Sequence, residues 1–189
     1  MKNQQVRELT IMAVIAALYV ALCYAFSFMS YGLIQFRVAE ILLILAFYNK
    51  KYCIAVILGT FIANMLMFGP IDMILGTFAT VLVLIVIILV KNGLLRKIIA
   101  APAAAIINGV VISFMFYYFV PDVCEYALEI MPDFMSASSL LLFMFISVAI
   151  GEFAVVLLGV LVFAGIEKAN PKIIDMLRLN KKTEEKKNQ

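Results

Sequence analysis

The sequence predicts an all-α membrane protein of six transmembrane helices with both termini on the cytoplasmic side of the cell membrane. Three observations predict it. Hydrophobic residues make up 66% of the 189-residue chain and charged residues 14%, a balance foreign to water-soluble domains. The apolar residues fall in runs approaching the roughly 20 that cross a hydrocarbon core about 30 Å thick. The basic residues gather between alternate runs, as in loops held on the cytoplasmic side.

The first span, Thr10–Phe28, is long and ends without a small-residue cleavage site, so it is expected to stay as a span rather than be removed as a leader. It carries alanines at 13, 17, 21 and 25. Small residues every four positions let helix backbones approach closely, and here packing inside the protein and docking of another protein are both open. The second span, Gln35–Tyr48, follows the loop Ser27–Ile34, where Ser30 and Gly32 allow the chain to reshape as a lid. Only about 11 of its residues, Val38–Tyr48, are dominantly apolar, too few to cross alone. Its outer half must therefore face protein or a water-filled cavity.

The third span, Tyr52–Phe68, follows Asn49-Lys50-Lys51, and the fourth, Met73–Val90, follows Gly69-Pro70-Ile71-Asp72. The fifth, Ile98–Phe119, comes after the basic stretch Lys91–Lys97 and carries Ala101, Ala105, Gly109 and Ser113, a stripe read as internal packing. The sixth, Ser138–Ile166, comes after the acidic segment Pro121–Phe134. Residues 1–175 thus form one six-helix domain, and 176–189 a polar, basic, disordered tail. With both termini inside, 14 of the 15 basic residues lie on the cytoplasmic side. That placement excludes nucleic acid as the reason for the net charge of +3. Cys23, Cys53 and Cys124 are widely spaced, match no disulfide or zinc pattern and read as packing residues.

The exception to the charge rule is Arg37, inside the second span. It is one of several polar residues within spans, each of which needs a reason. At about 1.5 Å per residue from the cytoplasmic ends, Arg37 and Asn64 come near 18 Å, Glu40 near 14 Å, Asn108 near 16 Å and Glu152 near 22 Å. Asp72 lies higher, near the outer boundary. A binding cavity opening outward produces such a layer; scattered structural groups do not.

Each residue also has a plainer reading. Arg37 and Glu40, three apart on one helix face, can neutralise each other. Asp72, opening a helix after Gly69-Pro70, suits a cap. Asn64 and Asn108 suit interhelical hydrogen bonds. Glu152 has no basic residue near it in sequence, which favours a functional role. The aromatics Tyr19, Tyr24, Tyr31, Phe36, Tyr117 and Tyr118 lie at similar or higher levels and read mainly as core or interfacial belt. Acidic groups outnumber Arg37 in the layer, so the site favours a cationic or donor-rich ligand, and a carboxylate matches adjacent ring N–H and amine donors.

At Tyr31–Leu45, with its Gln-Phe-Arg-x-x-Glu core at Gln35, Phe36, Arg37 and Glu40, the sequence resembles the QueT family. Asp72 followed by Gly-Thr-x-Ala-Thr at Gly76–Thr80, with Asn64 between the two motifs, adds to the resemblance. The family comprises substrate-binding S components of energy-coupling factor (ECF) transporters. The resemblance implies a queuosine precursor or related 7-deazaguanine as substrate. It also implies a transmembrane coupling subunit and two cytoplasmic ATPases as partners, ATP being used by those partners while this chain needs no cofactor. Docking onto the coupling subunit would use Ala13, Ala17 and Ala21. Substrate would be held by Gln35, Arg37, Glu40, Asn64, Asp72, Asn108 and Glu152, with Glu40 and Glu152 taking ring donors or an ammonium and Arg37 orienting Glu40.

Two other transport readings stand beside this one: an S component for a different vitamin, and a stand-alone carrier using Glu152 as its proton site. The latter commonly shows inverted repeats and broken helices, and neither is evident. An enzyme is not expected, because the chain has no histidine, no lysine within a span and no metal-ligand cluster.

Overall fold

The structure, a computed structural model, describes residues 2–29, 35–67, 69–130 and 137–178. Every regular element among them is helical. α1 (Lys2–Ala25) is followed by a 3₁₀ turn, Ser27–Met29, and by a longer 3₁₀ segment, Val38–Phe47. Then come α2 (Tyr52–Met67), α3 (Pro70–Leu89), α4 (Gly93–Phe119), α5 (Pro121–Ile130), α6 (Ala137–Ala169) and α7 (Pro171–Leu177). Gln5–Ala25, α3, α4 and Ser138–Ala169 are long and apolar enough to cross a bilayer, and the 3₁₀ segment and α2 are shorter apolar helices. The outward faces carry large apolar side chains such as Leu18, Ile54, Phe78, Ile106 and Leu161, while Glu40, Asn64, Asn108 and Glu152 are enclosed. That distribution, polar inside and apolar outside, is the one a lipid solvent selects.

The expected short second span proves to be the centre of the molecule. The 3₁₀ segment touches α1, α2, α3, α4 and α6, and Ala39, Glu40 and Leu42–Ala46 are all buried. Not only its outer half but nearly the whole segment faces protein. The winding suits the task, because 3₁₀ geometry rises about 2.0 Å per residue against 1.5 Å in an α-helix. Ten residues then reach about 20 Å instead of 15 Å, so a short segment extends further through the bundle. Close seating depends on α6, where a Cβ on Gly159 would come within 3.1 Å of Ile44 and 3.2 Å of the Ile41 backbone. α1 crosses α2 just as closely, a Cβ on Gly59 reaching 2.7 Å from that of Tyr19.

The basic residues between alternate helices meet at one end of the bundle. Lys51 pairs with Glu8 of α1, and Lys97 of α4 and Arg178 both reach Glu167 of α6, at 3.0 and 3.3 Å. The Tyr52 hydroxyl donates to the Leu177 carbonyl at 2.9 Å, tying α7 beneath the bundle. Ordered helix therefore runs two residues past the expected boundary at 175; the tail from 179 onward lies outside the described residues.

Two further expectations change. The first ten residues of the acidic segment form α5 rather than loop, with Pro121 at its start, Asp122 in its first turn, and Cys124 and Leu128 packed against Leu140 and Met144 of α6. The remainder of that segment, 131–134, and residues 30–34 of the expected lid lie outside the described residues. The stripe on the fifth span is internal as expected: Ala101, Ala105 and Ser113 are buried, and Gly109 faces Phe145 and Ala149 of α6.

Candidate functional site

Gly69, at a φ of +89°, and Pro70 at the first helical position make the sharp entry to α3. The Gly69 amide donates to the Asn64 carbonyl at 3.0 Å, which folds the end of α2 against the start of α3. Asp72 and Asn64 are thereby brought side by side, with the Asn64 amide donating to the Asp72 carbonyl at 3.1 Å. Gly76 leaves room for them, since a Cβ there would lie 2.6 Å from both Asn64 Nδ2 and Asp72 Oδ1.

Into this corner comes Arg37. Its Nη2 donates to Asn64 Oδ1 and to Asp72 Oδ2, each at 3.0 Å, with both ends of the ion pair buried. One expectation is corrected here. Arg37 is not ion-paired with Glu40: its carbonyl accepts the Glu40 amide at 2.9 Å, but its own backbone (φ −86°, ψ 77°) departs from helical geometry and its guanidinium goes to the α2–α3 corner. Asp72 stands in the first turn of α3, where its charge suits the helix N-terminus, and its carboxylate is also engaged by Arg37.

Glu40 is instead held from α1 and α3. The Tyr19 hydroxyl donates to Glu40 Oε1 at 2.7 Å, and Thr80 Oγ1 lies 3.4 Å from the same oxygen. Sequence reasoning placed neither residue there. Tyr19 was one aromatic among six, and Thr80 only a motif position. The available signal was that Ile15 and Tyr19 share the face of α1 opposite the alanine stripe.

The other carboxylate is on α6. Glu152 is fully enclosed, lies within electrostatic reach of Glu40 and Arg37, and sits beside Asn108 of α4. Its immediate neighbour, Gly151, lies directly against the Gln35 backbone: a Cβ at 151 would collide with the Gln35 carbonyl oxygen. The lead-in Gln35–Arg37 thus passes from α6 to the α2–α3 corner, between the two acidic groups. Of Gln35 it is the backbone that makes this contact; its side chain is half-buried.

Among the described residues, both oxygens of Glu152, both polar atoms of the Asn108 side chain and Oε2 of Glu40 are buried without a hydrogen-bond partner. Each such group costs about 1–3 kcal/mol, and more where lipid surrounds the bundle. Groups of this kind are rare in native proteins and call for an explanation, a bound polar molecule among them. The arrangement offers two carboxylates and an amide on one side of a neutralised Arg37–Asp72 pair. Of the aromatics, Tyr24 and Tyr118 are exposed, and Tyr117 and Tyr118 pack on one another at 4.9 Å; Tyr31 lies outside the described residues.

On α1, Ile15, Ala16 and Tyr19 are buried while Ala13, Ala17, Ala21 and Ala25 are exposed. Among the described residues, nothing covers the small-residue stripe.

The model of the QueT transporter family matches residues 9–168. The queuosine precursor transporter QueT of Lactococcus lactis subsp. cremoris (strain MG1363) is 45% identical over 86 residues, 44% of this chain and 51% of the relative. The match spans about half the length of that relative. No solved structure matches.

Proposed function

The chain belongs to the QueT transporter family, and on that premise we propose that it is the substrate-binding S component of an ECF-type importer for a queuosine precursor. Its family is one of multi-pass membrane transporters, not of enzymes. The proposal adds six spans with both termini cytoplasmic, a 7-deazaguanine substrate, and work carried out with a coupling subunit and two ATPases. The relative's name supports the substrate class.

The observation that carries the reading is the set of buried polar atoms on Glu152, Asn108 and Glu40 that have no hydrogen-bond partner among the described residues. A 7-deazaguanine has an N–H and an adjacent exocyclic amine that match one carboxylate, and a carbonyl that matches the Asn108 amide donor. An aminomethyl substituent, protonated, matches the second carboxylate. Arg37, Asn64 and Asp72 then act as the frame that fixes the Gln35–Arg37 lead-in rather than as direct contacts. The exposed Ala13–Ala17–Ala21 face is the docking face for the coupling subunit, small enough for a partner helix to approach closely.

The test is a titration of the purified protein with 7-cyano- and 7-aminomethyl-7-deazaguanine, queuine and queuosine, with riboflavin, thiamine and biotin as controls. Tight binding of a deazaguanine, lost in Glu152→Gln or Glu40→Gln, is expected. Binding of a control vitamin alone would overturn the substrate and keep the transporter class. The same partnerless Glu152 suits a proton-coupled carrier; uptake driven by a proton gradient in ATP-depleted vesicles would favour that reading.

A further inference from the structure

A second polar site lies at the opposite, basic end of the bundle, far from the acidic layer. A cavity of about 310 Å³ opens there between the foot of the 3₁₀ segment, the start of α4 and the end of α6. Its walls include Phe47, Tyr48, Leu94, Arg96, Lys97, Glu167 and Arg178. Three cations face it against one carboxylate, and that carboxylate already serves two of them. Arg178 also meets Asp175, at 4.0 Å on the exposed side.

Arg96 is the telling member. Its Nε donates to the Val90 carbonyl at 2.8 Å and its Nη1 to the Phe47 carbonyl at 3.4 Å. Two carbonyls fix the guanidinium in place without cancelling its charge, and no carboxylate pairs with it among the described residues. A held, uncompensated guanidinium beside a lysine and a second arginine is suited to a phosphate, whose oxygens take a guanidinium fork. The surroundings decide which phosphate. From the mouth of the cavity an apolar track leads up the outer face of α4, where Leu94 and Ile98 are 70% and 60% exposed one turn apart. An acyl chain fits that track and a soluble phosphate does not use it.

We propose that this cavity binds the headgroup phosphate of an anionic phospholipid, with its acyl chain lying along Leu94 and Ile98. Basic pockets between membrane helices on the cytoplasmic side take such headgroups. The inference stands apart from the identity of the transported substrate.

Native mass spectrometry of the full chain in detergent tests it. Dioctanoyl phosphatidylglycerol should form a one-to-one complex about tenfold or more tighter than dioctanoyl phosphatidylcholine. Arg96→Gln and Arg178→Gln should each weaken it by about tenfold, the loss of one charge-assisted hydrogen bond. Melting temperatures without lipid identify any variant that fails to fold, in which case the other decides. Equal binding of the two lipids, or unchanged binding in the folded variants, would overturn the site. Glycerol phosphate or inorganic phosphate competing as well as phosphatidylglycerol would overturn its assignment to lipid.

Discussion

The Tyr19 hydroxyl donates to Oε1 of Glu40 across 2.7 Å, joining α1 to the central 3₁₀ segment with both residues almost wholly enclosed. The bond engages one oxygen of the carboxylate and leaves Oε2 without a hydrogen-bond partner among the described residues. Tyr19→Phe keeps the ring and its packing against Gly59 but frees Glu40 to turn. The expected result is about tenfold weaker binding of 7-aminomethyl-7-deazaguanine, the worth of one buried hydrogen bond to a charged group. The cyano analogue, which lacks the ammonium, should lose less. Calorimetric titration of both ligands checks this, and equal losses would show that Tyr19 serves packing alone.

Glu152→Gln should separate stability from binding. Most substitutions of enclosed residues destabilise, but among the described residues Glu152 makes no hydrogen bond of good geometry, and its polar neighbour is the Asn108 amide. A neutral amide of the same shape lifts the cost of enclosing a carboxyl group. The ligand-free variant should melt at or above the temperature of the parent while its ligand affinity collapses. A clear fall in melting temperature would mean that Glu152 holds the fold together.

Arg37 and Asp72 should show strong coupling. Removing one member of a buried pair strands the other, at a cost of about 3–5 kcal/mol. Arg37→Met and Asp72→Asn should each destabilise severely, and the double variant by much less than the sum. Denaturation of all four proteins in mixed micelles measures the difference, and additive losses would contradict the pairing.

Gly151→Ala should be disabling although it adds one methyl group. The new Cβ would fall far inside van der Waals contact with the Gln35 carbonyl oxygen, so the lead-in to Arg37 must leave its seat. Gly165, on the same helix, has open space around it, and Gly165→Ala should stabilise by up to about 1 kcal/mol through helix propensity. Thermal melting and ligand titration of the pair should give opposite outcomes.

The layer of polar residues was legible because charge inside an apolar run has few explanations. Glu152 and Arg37 stood out for that reason. Their partners were not legible. Spacing placed Arg37 over Glu40 only on the assumption that both lie in one helix, and the backbone leaves helical geometry at Arg37 itself. Tyr19 and Thr80 reach Glu40 from elements 21 and 40 residues away, distances over which sequence periodicity carries no information. The shortness of the apolar run after Val38 did reveal that it must be shielded from lipid; its 3₁₀ winding left no mark that local composition could show. α5 escaped because its acidic residues masked the apolar side formed by Cys124 and Leu128.

The winding of that central segment makes its two ends mechanically interdependent. A 3₁₀ helix advances about 120° per residue and an α-helix about 100°. Each residue that exchanged one winding for the other would therefore turn everything beyond it by about 20° and draw it in by about 0.5 Å. At one end the Phe47 carbonyl is gripped by Arg96; near the other stands Glu40, leashed to Tyr19. Between those two anchors the segment behaves as a screw thread, in which pitch and azimuth cannot change separately. Any loosening at the basic foot would be read out as a rotation of the carboxylate some 14 Å above it, by 3₁₀ rise.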